Sequence, residues 1–156
     1  SFSIVSLIYF LDRLSKIYVI QLDKNNLGSD IFNSAYLNIT LIWNKGIAFG
    51  LFSFTEAYLY NFLSLIISII IIILVVMSFK SPSFKKYSLL MIVGGALGNL
   101  HDRIFINAVP DFIDFHVGDF HWFVFNVADI FISIGVILMI FFEIIDNNRI
   151  NINDKN

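Results

Sequence analysis

The sequence predicts an all-α membrane protein with four transmembrane helices and a small extracytoplasmic β-sheet. Of its 156 residues, 58% are hydrophobic and 14% are charged, whereas soluble domains usually carry about 25% charged residues. Four stretches approach the roughly 20 apolar residues that a helix needs to cross a bilayer. A segment between the first two stretches alternates apolar and polar residues, as a half-buried strand does. We therefore expect one integral membrane domain, residues 1–156.

The four helices are predicted at residues 2–22, 58–79, 87–106 and 122–145. The second is almost purely aliphatic and has no charge, which is typical of a helix that faces lipid. The other three contain ionisable residues, which are costly in lipid and usually face a bundle interior, where they mark function. Gly94, Gly95 and Gly98 predict close packing of the third helix against a neighbour.

The orientation in the membrane follows from basic residues. Lys80, Lys85 and Lys86 crowd the short link between the second and third helices, so that link is predicted to be cytoplasmic. Both termini then lie on the cytoplasmic side, with the first long connection outside. The first stretch is interpreted as a retained helix rather than a cleaved signal, and we expect a few residues to precede Ser1.

Two outer segments connect these helices. Residues 36–44 predict a strand, and a turn at residues 44–46 allows residues 47–52 to return beside it. This sheet, at about residues 32–57, could bind an extended peptide by strand addition or be a structural hairpin. The aromatic segment that follows the third helix is predicted to be a re-entrant loop at the headgroups, with Asp114 and Asp119 as solvated charges.

Composition also excludes several kinds of chemistry. The chain has no Cys, which excludes a thiolate nucleophile and Cys-ligated metal. A net charge of −2 without basic blocks argues against nucleic acid as a partner, because binding phosphates needs clustered Lys and Arg. The zinc-peptidase pattern HExxH and the serine-hydrolase pattern GxSxG are also missing from the sequence. The expected partners are membrane lipids or lipid-embedded molecules.

The remaining candidates for chemistry are aspartates. If Asp111 and Asp129 meet in a dry site, charge repulsion makes them share one proton. The ionised carboxylate can then activate a water while its protonated partner polarises a peptide carbonyl. Asn99 and Asn126 can hold the water or a carboxylate without titrating, and Arg103 would anchor one end of the site. Spacing alone leaves Asp102 as an equal competitor of Asp111.

Five blocks of this sequence resemble motifs of bacterial lipoprotein signal peptidase. They are LDRLSK at 11–16, WNKGIAFG at 43–50, GNLHDR at 98–103, the Asp-Phe pair at 111–112 and FNVAD at 125–129. Their order and spacing match as well, and together they cover most of the chain. The resemblance implies four transmembrane helices, an outer sheet, and cleavage of prolipoproteins just before a diacylglyceryl-modified Cys.

The resemblance also implies roles for individual residues. Asp111 and Asp129 match the catalytic pair, which favours Asp111 over Asp102 and leaves Asp102 to cap a helix or pair with a basic group. Asp12 and Lys16 match a first-helix pair whose spacing independently predicts an intrahelical ion pair. The site-supporting or substrate-binding positions are Asn99, Arg103, Asn126, Ala128, Asn44, Gly46, Asp12, Lys16 and Asp102. It further implies a monomer without cofactor or metal, in the bacterial inner membrane, with its site near the outer face.

Three other interpretations of the same residues stay open at this point. His116 and His121 could form a metal site with nearby aspartates, since imidazole and carboxylate are ordinary zinc ligands. A small transporter or channel could use a proton or ion relay formed by Asp12, Lys16, Arg103 and Asp129. Such a relay requires polar groups through the full depth of the membrane. A catalytically silent envelope chaperone would lack one of the paired aspartates.

Overall fold

The computed structural model describes residues 2–26, 30–46 and 57–153, which form a helical bundle carrying one small antiparallel sheet. In these residues the elements are α1 (Phe2–Asn25), β1 (Phe32–Asn33), β2 (Leu37–Asn44), α2 (Ala57–Lys80), α3 (Ser83–Phe105), β3 (Val109–Val117), β4 (Phe120–Phe125) and α4 (Val127–Asn153). The prediction of a mostly helical chain with a small sheet is confirmed.

The sheet has the strand order β1-β2-β3-β4. The predicted strand at residues 36–44 is confirmed as β2, which pairs with β1 on one side and with β3 on the other. The predicted return strand, residues 47–52, lies outside the described residues. The register places Asn44 opposite Val109, so the end of β2 lies beside the start of β3, two residues before Asp111.

The segment between α3 and α4 differs from the sequence prediction. The predicted start of the fourth helix at residue 122 is wrong, because residues 109–117 and 120–125 form a β-hairpin. The position of this segment at the headgroups stays a prediction. Its strands are rich in aromatic and β-branched residues, which favour pleated structure. Gly118 has a φ of +58° at the turn, a conformation that glycine adopts without a steric penalty. The fourth helix therefore begins at Val127.

The other helix bounds also shift slightly. α1 continues to Asn25, beyond the predicted residue 22, and α3 begins at Ser83 rather than at residue 87. Pro82 precedes α3 with a φ of −62°, and proline is well suited to the start of a helix because it has no N–H to donate. Lys85 and Lys86 thus belong to the first turns of α3 instead of a loop.

α3 is the central helix, since it contacts α1, α2 and α4. The predicted use of glycine for close packing is confirmed. A Cβ atom on Gly94 would lie 3.0 Å from Cβ of Ile8, and one on Gly95 would lie 2.5 Å from the carbonyl oxygen of Ala128. The distance at Gly95 is too short for any side chain, and the distance at Gly94 is shorter than most Cβ contacts. α1 and α4 therefore approach α3 at its glycines.

Two helices are long and apolar enough to cross a membrane: residues Tyr58–Lys80 of α2 and Val127–Asp146 of α4. The rest of the described protein buries only a small part of each. Large exposed apolar surfaces indicate contact with a membrane or a partner. By length and composition, the structure thus supplies two of the four predicted spans.

Candidate active site

Asn126 links the two aspartates that the sequence analysis pairs. Asp111 lies on β3 and Asp129 lies in the first turn of α4. The Asn126 side-chain amide donates to Oδ1 of Asp111 over 2.6 Å, and its backbone N–H donates to Oδ2 of Asp129 over 3.2 Å. One residue therefore holds both carboxylates, and the prediction that they meet agrees with this arrangement.

The same residue explains why α4 begins where it does. Asn126 Oδ1 accepts a hydrogen bond from the backbone N–H of Asp129 over 3.2 Å, while Asp129 binds the Asn126 N–H in return. This reciprocal pair is a capping box, in which residues three apart satisfy the free N–H groups of a helix start. The helix N-terminus also favours a negative charge at Asp129. The Asn-x-x-Asp spacing was a readable signal that the sequence analysis missed.

Asp111 is held in position by a neighbouring strand of the sheet, through a hydrogen bond from Asn44 of β2. Its side chain is buried, and Oδ2 accepts a hydrogen bond from Asn44 Nδ2 over 2.8 Å. The pKa of Asp111 is raised to about 6, mainly by burial and to a smaller extent by the negative charge of Asp129. The hydrogen bonds from Asn44 and Asn126 oppose this shift. A carboxyl group in this state can keep its proton at mildly acidic pH and donate it to a substrate oxygen.

Asn99 and Arg103 approach from α3, as their spacing of one turn predicts. Asn99 Nδ2 donates to Oδ1 of Asp129 over 2.8 Å. Among the described residues, Arg103 makes no hydrogen bond or ion pair with a carboxylate. Its guanidinium donates to the carbonyl oxygens of Asn99, over 3.2 Å, and Gly46, over 3.0 Å. Arg103 therefore fastens the chain that follows β2 to α3, beside Asp111 and its partner Asn44.

Two buried polar atoms near this site have no hydrogen-bond partner among the described residues: Arg103 Nε and the hydroxyl of Tyr60. Tyr60 belongs to α2 and is buried, although the sequence analysis treated its helix as a plain lipid-facing span. No pattern in the sequence distinguishes Tyr60 from the exposed Tyr58 of the same helix.

Behind Asn99 lies a buried group of charges, the Lys16 cluster, formed by Asp12, Arg13, Lys16 and Asp102. The predicted intrahelical ion pair is confirmed, with Lys16 Nζ 2.8 Å from Asp12 Oδ2. Asp102 pairs with basic groups, as predicted, because it binds Lys16 over 2.7 Å and also Arg13. The remaining oxygen of Asp12 accepts from the Ala128 N–H over 3.0 Å, so the cluster joins α1, α3 and the start of α4.

All of the predicted site residues are buried, and their contacts connect them. The structure brings together, through hydrogen bonds and ion pairs, Asp111, Asp129, Asn126, Asn99, Asn44, Gly46, Arg103, Lys16, Asp12, Asp102 and Ala128. Asp102 lies one step further from the dyad than Asn99, because Lys16 separates it from Asn99.

The outer aspartates and histidines lie elsewhere on the sheet. The prediction of a solvated Asp114 is wrong, since this side chain is buried in β3 and binds His121 Nδ1 over 2.8 Å; Asp119 is exposed, as predicted. His116 stacks on His121 with ring centroids 4.9 Å apart, and its Nε2 contacts Asn38. Within the described residues, no group of three or more His, Asp or Glu could hold a metal ion.

Among the described residues, the buried ionisable side chains concentrate around the sheet end of the bundle. In the first half of α3, the buried residues between positions 89 and 93 are apolar. The buried ionisable residues of this helix, Asp102 and Arg103, both lie near its C-terminal end. A conduit needs polar groups along its whole length. A peptidase needs one localised pair of titratable groups with polar neighbours, and this distribution favours a peptidase.

The family model described as Signal peptidase (SPase) II matches residues 4–145. Among curated relatives, the lipoprotein signal peptidase of Pelagibacter ubique (strain HTCC1062) is 47% identical over 153 residues, covering 98% of this chain and 92% of the relative. The lipoprotein signal peptidase of Anaplasma phagocytophilum (strain HZ) is 41% identical, covering 95% of this chain and 94% of the relative.

Solved structures give the same result for the fold. A structure described as a bacterial membrane enzyme, obtained by the in meso method at 2.3 Å resolution, superposes with a TM-score of 0.79 at 30% sequence identity, covering 94% of this chain and 88% of the other. A second bacterial membrane enzyme, at 1.9 Å resolution, gives a TM-score of 0.74 at 32% identity and covers 88% of each chain.

Proposed function

The chain belongs to the signal peptidase II family, and on that premise we propose that it is an aspartic endopeptidase whose catalytic pair is Asp111 and Asp129. The observation that carries this proposal is the bridge through Asn126, which holds one oxygen of each carboxylate. Such a bridge keeps two acidic groups at a fixed separation in a buried site, where they share one proton.

In this mechanism the two carboxyl groups have different starting roles. Asp129 is the ionised partner, because the N-terminus of α4 and two N–H donors, from Asn99 and Asn126, favour its charge, and it takes a proton from the attacking water. Asp111, whose raised pKa favours its protonated form below about pH 6, transfers its proton to the oxygen of the scissile carbonyl. Attack forms a tetrahedral diol. Asp129 then passes the proton taken from the water to the leaving amine, while the ionised Asp111 takes a proton back from a hydroxyl of the diol, so the two roles exchange.

The protein removes signal peptides from prolipoproteins, as the lipoprotein signal peptidases it resembles do by name. The cut is made before the Cys that carries the diacylglyceryl group. The acyl chains of that group would anchor the substrate in the plane of the membrane and add binding free energy at a distance from the scissile bond. A precursor without the lipid should therefore be cut more slowly.

The membrane arrangement that fits this function has all four helices crossing the bilayer as a single domain of residues 1–156. α1 and α3 would be the two spans that contain ionisable residues, turned toward the bundle interior where these residues are already paired. The three lysines at the α2–α3 link place that link and both termini in the cytoplasm. The dyad then lies near the outer face of the inner membrane, in a monomer.

The direct test is cleavage of a purified diacylglyceryl-modified precursor by Asp111→Asn and Asp129→Asn. Each substitution keeps the size and the hydrogen-bond acceptor of the side chain but removes one member of the proton-sharing pair. We expect kcat to fall by at least about 10³-fold in each variant, on the scale of losing an essential acid or base. A gel shift of the precursor measures the rate.

Both variants should remain folded and inserted, because the amide keeps the size of the carboxyl group and one of its two acceptor oxygens. Membrane extraction and thermal unfolding provide that control. Turnover above about a tenth of the parent rate in either variant would contradict the assignment of the dyad.

A further inference from the structure

Lys16 is an unusual residue for the middle of a helix in an apolar bundle, because its side chain is completely buried. Its ammonium group has three N–H donors, and the structure gives each of them an acceptor. Nζ lies 2.8 Å from Asp12 Oδ2, 2.8 Å from Asn99 Oδ1 and 2.7 Å from Asp102 Oδ2. The group is fully satisfied, so its position relative to Asn99 is fixed.

The contact with Asn99 determines how that amide is turned. An ammonium group only donates hydrogen bonds, so the side-chain oxygen of Asn99 must face Lys16. The NH₂ group must then face the other way, where it donates to Oδ1 of Asp129 over 2.8 Å. If the amide turned over, its NH₂ would meet the ammonium and its oxygen would meet the carboxylate, and both contacts would be repulsive.

We propose that Lys16 is a positioning residue for catalysis, which acts on Asp129 by fixing the orientation of the Asn99 amide. This inference rests on the proposed function, since it gives a kinetic role to a group that does not touch the substrate. Asn99 then presents a donor to Asp129 throughout the reaction, and it holds the carboxylate oxygen in place when the water loses its proton.

The competing role of Lys16 is charge balance. The Lys16 cluster contains two aspartates and two basic residues, so its formal charge is zero, and removing Lys16 alone would leave a buried negative charge without a partner. A loss of activity in Lys16→Met would therefore not separate positioning from folding. A second substitution is needed that restores neutrality without restoring the contact to Asn99.

Asp12→Asn provides this restoration. In the double variant Lys16→Met/Asp12→Asn, Asp102 and Arg13 still form a neutral pair, and the amide oxygen at position 12 can still accept from the Ala128 N–H. We expect the double variant to recover the thermal stability that Lys16→Met loses. Its kcat should stay about 10- to 100-fold below that of the parent, the scale of one hydrogen bond to a charged group, while KM changes by less than about threefold.

A double-mutant cycle tests whether the effect passes through Asn99. In an Asn99→Leu background, adding Lys16→Met and Asp12→Asn should cost no further kcat, because the connection is already broken. Lys85→Met is the matched control, since Lys85 also binds two carboxylates but at the far end of α3. That variant should cut at the parent rate.

Recovery of kcat to within threefold in Lys16→Met/Asp12→Asn, or a full additional loss in the Asn99→Leu background, would overturn the proposal and leave Lys16 with charge balance alone. If Asp111→Asn and Asp129→Asn are inactive in the same assay, the dyad survives that outcome. If the double variant does not fold, Asn99→Leu alone carries the test. It leaves the charges of the Lys16 cluster paired and removes only the connection between Lys16 and Asp129; a kcat within threefold of the parent overturns the proposal.

Discussion

Lys16 and Lys85 each form ion pairs with two carboxylates and so connect two helices. The two groups of charges differ in how far they are exposed to solvent. Lys16, Asp12 and Asp102 have no exposed side-chain surface. Lys85 is 20% exposed, and its partners Glu143 and Asp146 are 58% and 47% exposed. The first group lies behind the candidate catalytic pair, and the second connects the start of α3 with the last turns of α4.

The difference shows that burial, rather than the number of ion pairs, decides what such a group does. Exposed ion pairs contribute little to stability, because water and salt screen them. Buried charges must be fully paired, and breaking one contact leaves a charge without solvent. The buried cluster therefore holds the side chains that it contacts, such as Asn99, in one position. A catalytic site needs such fixed geometry. The exposed cluster can lose a partner at little cost.

The strongest test of this comparison removes Asn126, the residue that hydrogen-bonds both candidate catalytic aspartates. Asn126→Ala deletes the donor to Asp111 and one half of the capping box. We expect kcat to fall roughly 100-fold, as when one preorganised donor is removed from an active site, together with about 1 kcal/mol of stability lost with the helix cap. Precursor cleavage and thermal unfolding measure the two effects.

Asn38→Ala serves as the matched control for Asn126→Ala. Asn38 is also a buried amide with side-chain hydrogen bonds, but it lies on the sheet against His116 and Ser34. It should lose stability without losing kcat. Equal losses of kcat in the two variants would mean that the site responds to general loosening of the fold, and that Asn126 has no special place in it.

The next test uses pH to compare a buried acid with the exposed ones. Asp111 has to be protonated to polarise the carbonyl, and its pKa is raised to about 6 by burial and by Asp129. Activity should therefore decline as pH rises through this value, by about tenfold for each further unit. An unperturbed aspartate would place this limb near pH 4. Initial rates in detergent between pH 4 and 9 locate it.

Asn44→Ala sharpens the pH experiment, because Asn44 donates to Asp111 and so opposes the rise of its pKa. Without this donor the basic limb should move to higher pH, while substitution of the exposed Asp146 leaves it in place. A limb that stays fixed in Asn44→Ala would show that Asp111 is not the group that titrates.

The smallest expected effects come from neutralising one aspartate in each group of charges, either the buried Asp102 or the more exposed Asp146. Asp102→Asn leaves Lys16 and Arg13 with one neutral partner, so we expect kcat to fall by roughly tenfold, the scale of a weakened charged hydrogen bond. Asp146→Asn weakens only the exposed pair, and kcat should stay within twofold. Asp102→Asn must also keep more activity than Asp111→Asn. A reversed ranking would return Asp102 to the catalytic pair.

Several contacts were predictable because they depend on spacing within one element. Asp12 and Lys16 lie one turn apart on a helix, which brings their side chains together whatever surrounds them. The alternation of residues 36–44 likewise predicts a strand, and the structure has β2 there. The capping box at Asn126 and Asp129 was equally local, and it was missed because the apolar run beginning at residue 122 suggested an earlier helix start.

Other features depend on which segments become neighbours, and the sequence does not state that. One of the two strands that pair with β2 comes from residues 109–117, about 70 positions further along the chain. The aromatic segment after α3 forms a strand because it meets this distant partner. Asp114 is buried for the same reason. Tyr60 differs from Tyr58 only in the side of α2 that it occupies.

By itself, the sequence determined the apolar helical character of this protein, its signal peptidase II motifs and the residues available for chemistry, because composition and local spacing are properties of the chain alone. Only the tertiary structure decided that Asn126 lies between Asp111 and Asp129, and that Lys16 reaches Asn99. These contacts join residues from separate elements. Their geometry is set when α3 packs against α1 and α4 and the sheet places β3 beside them.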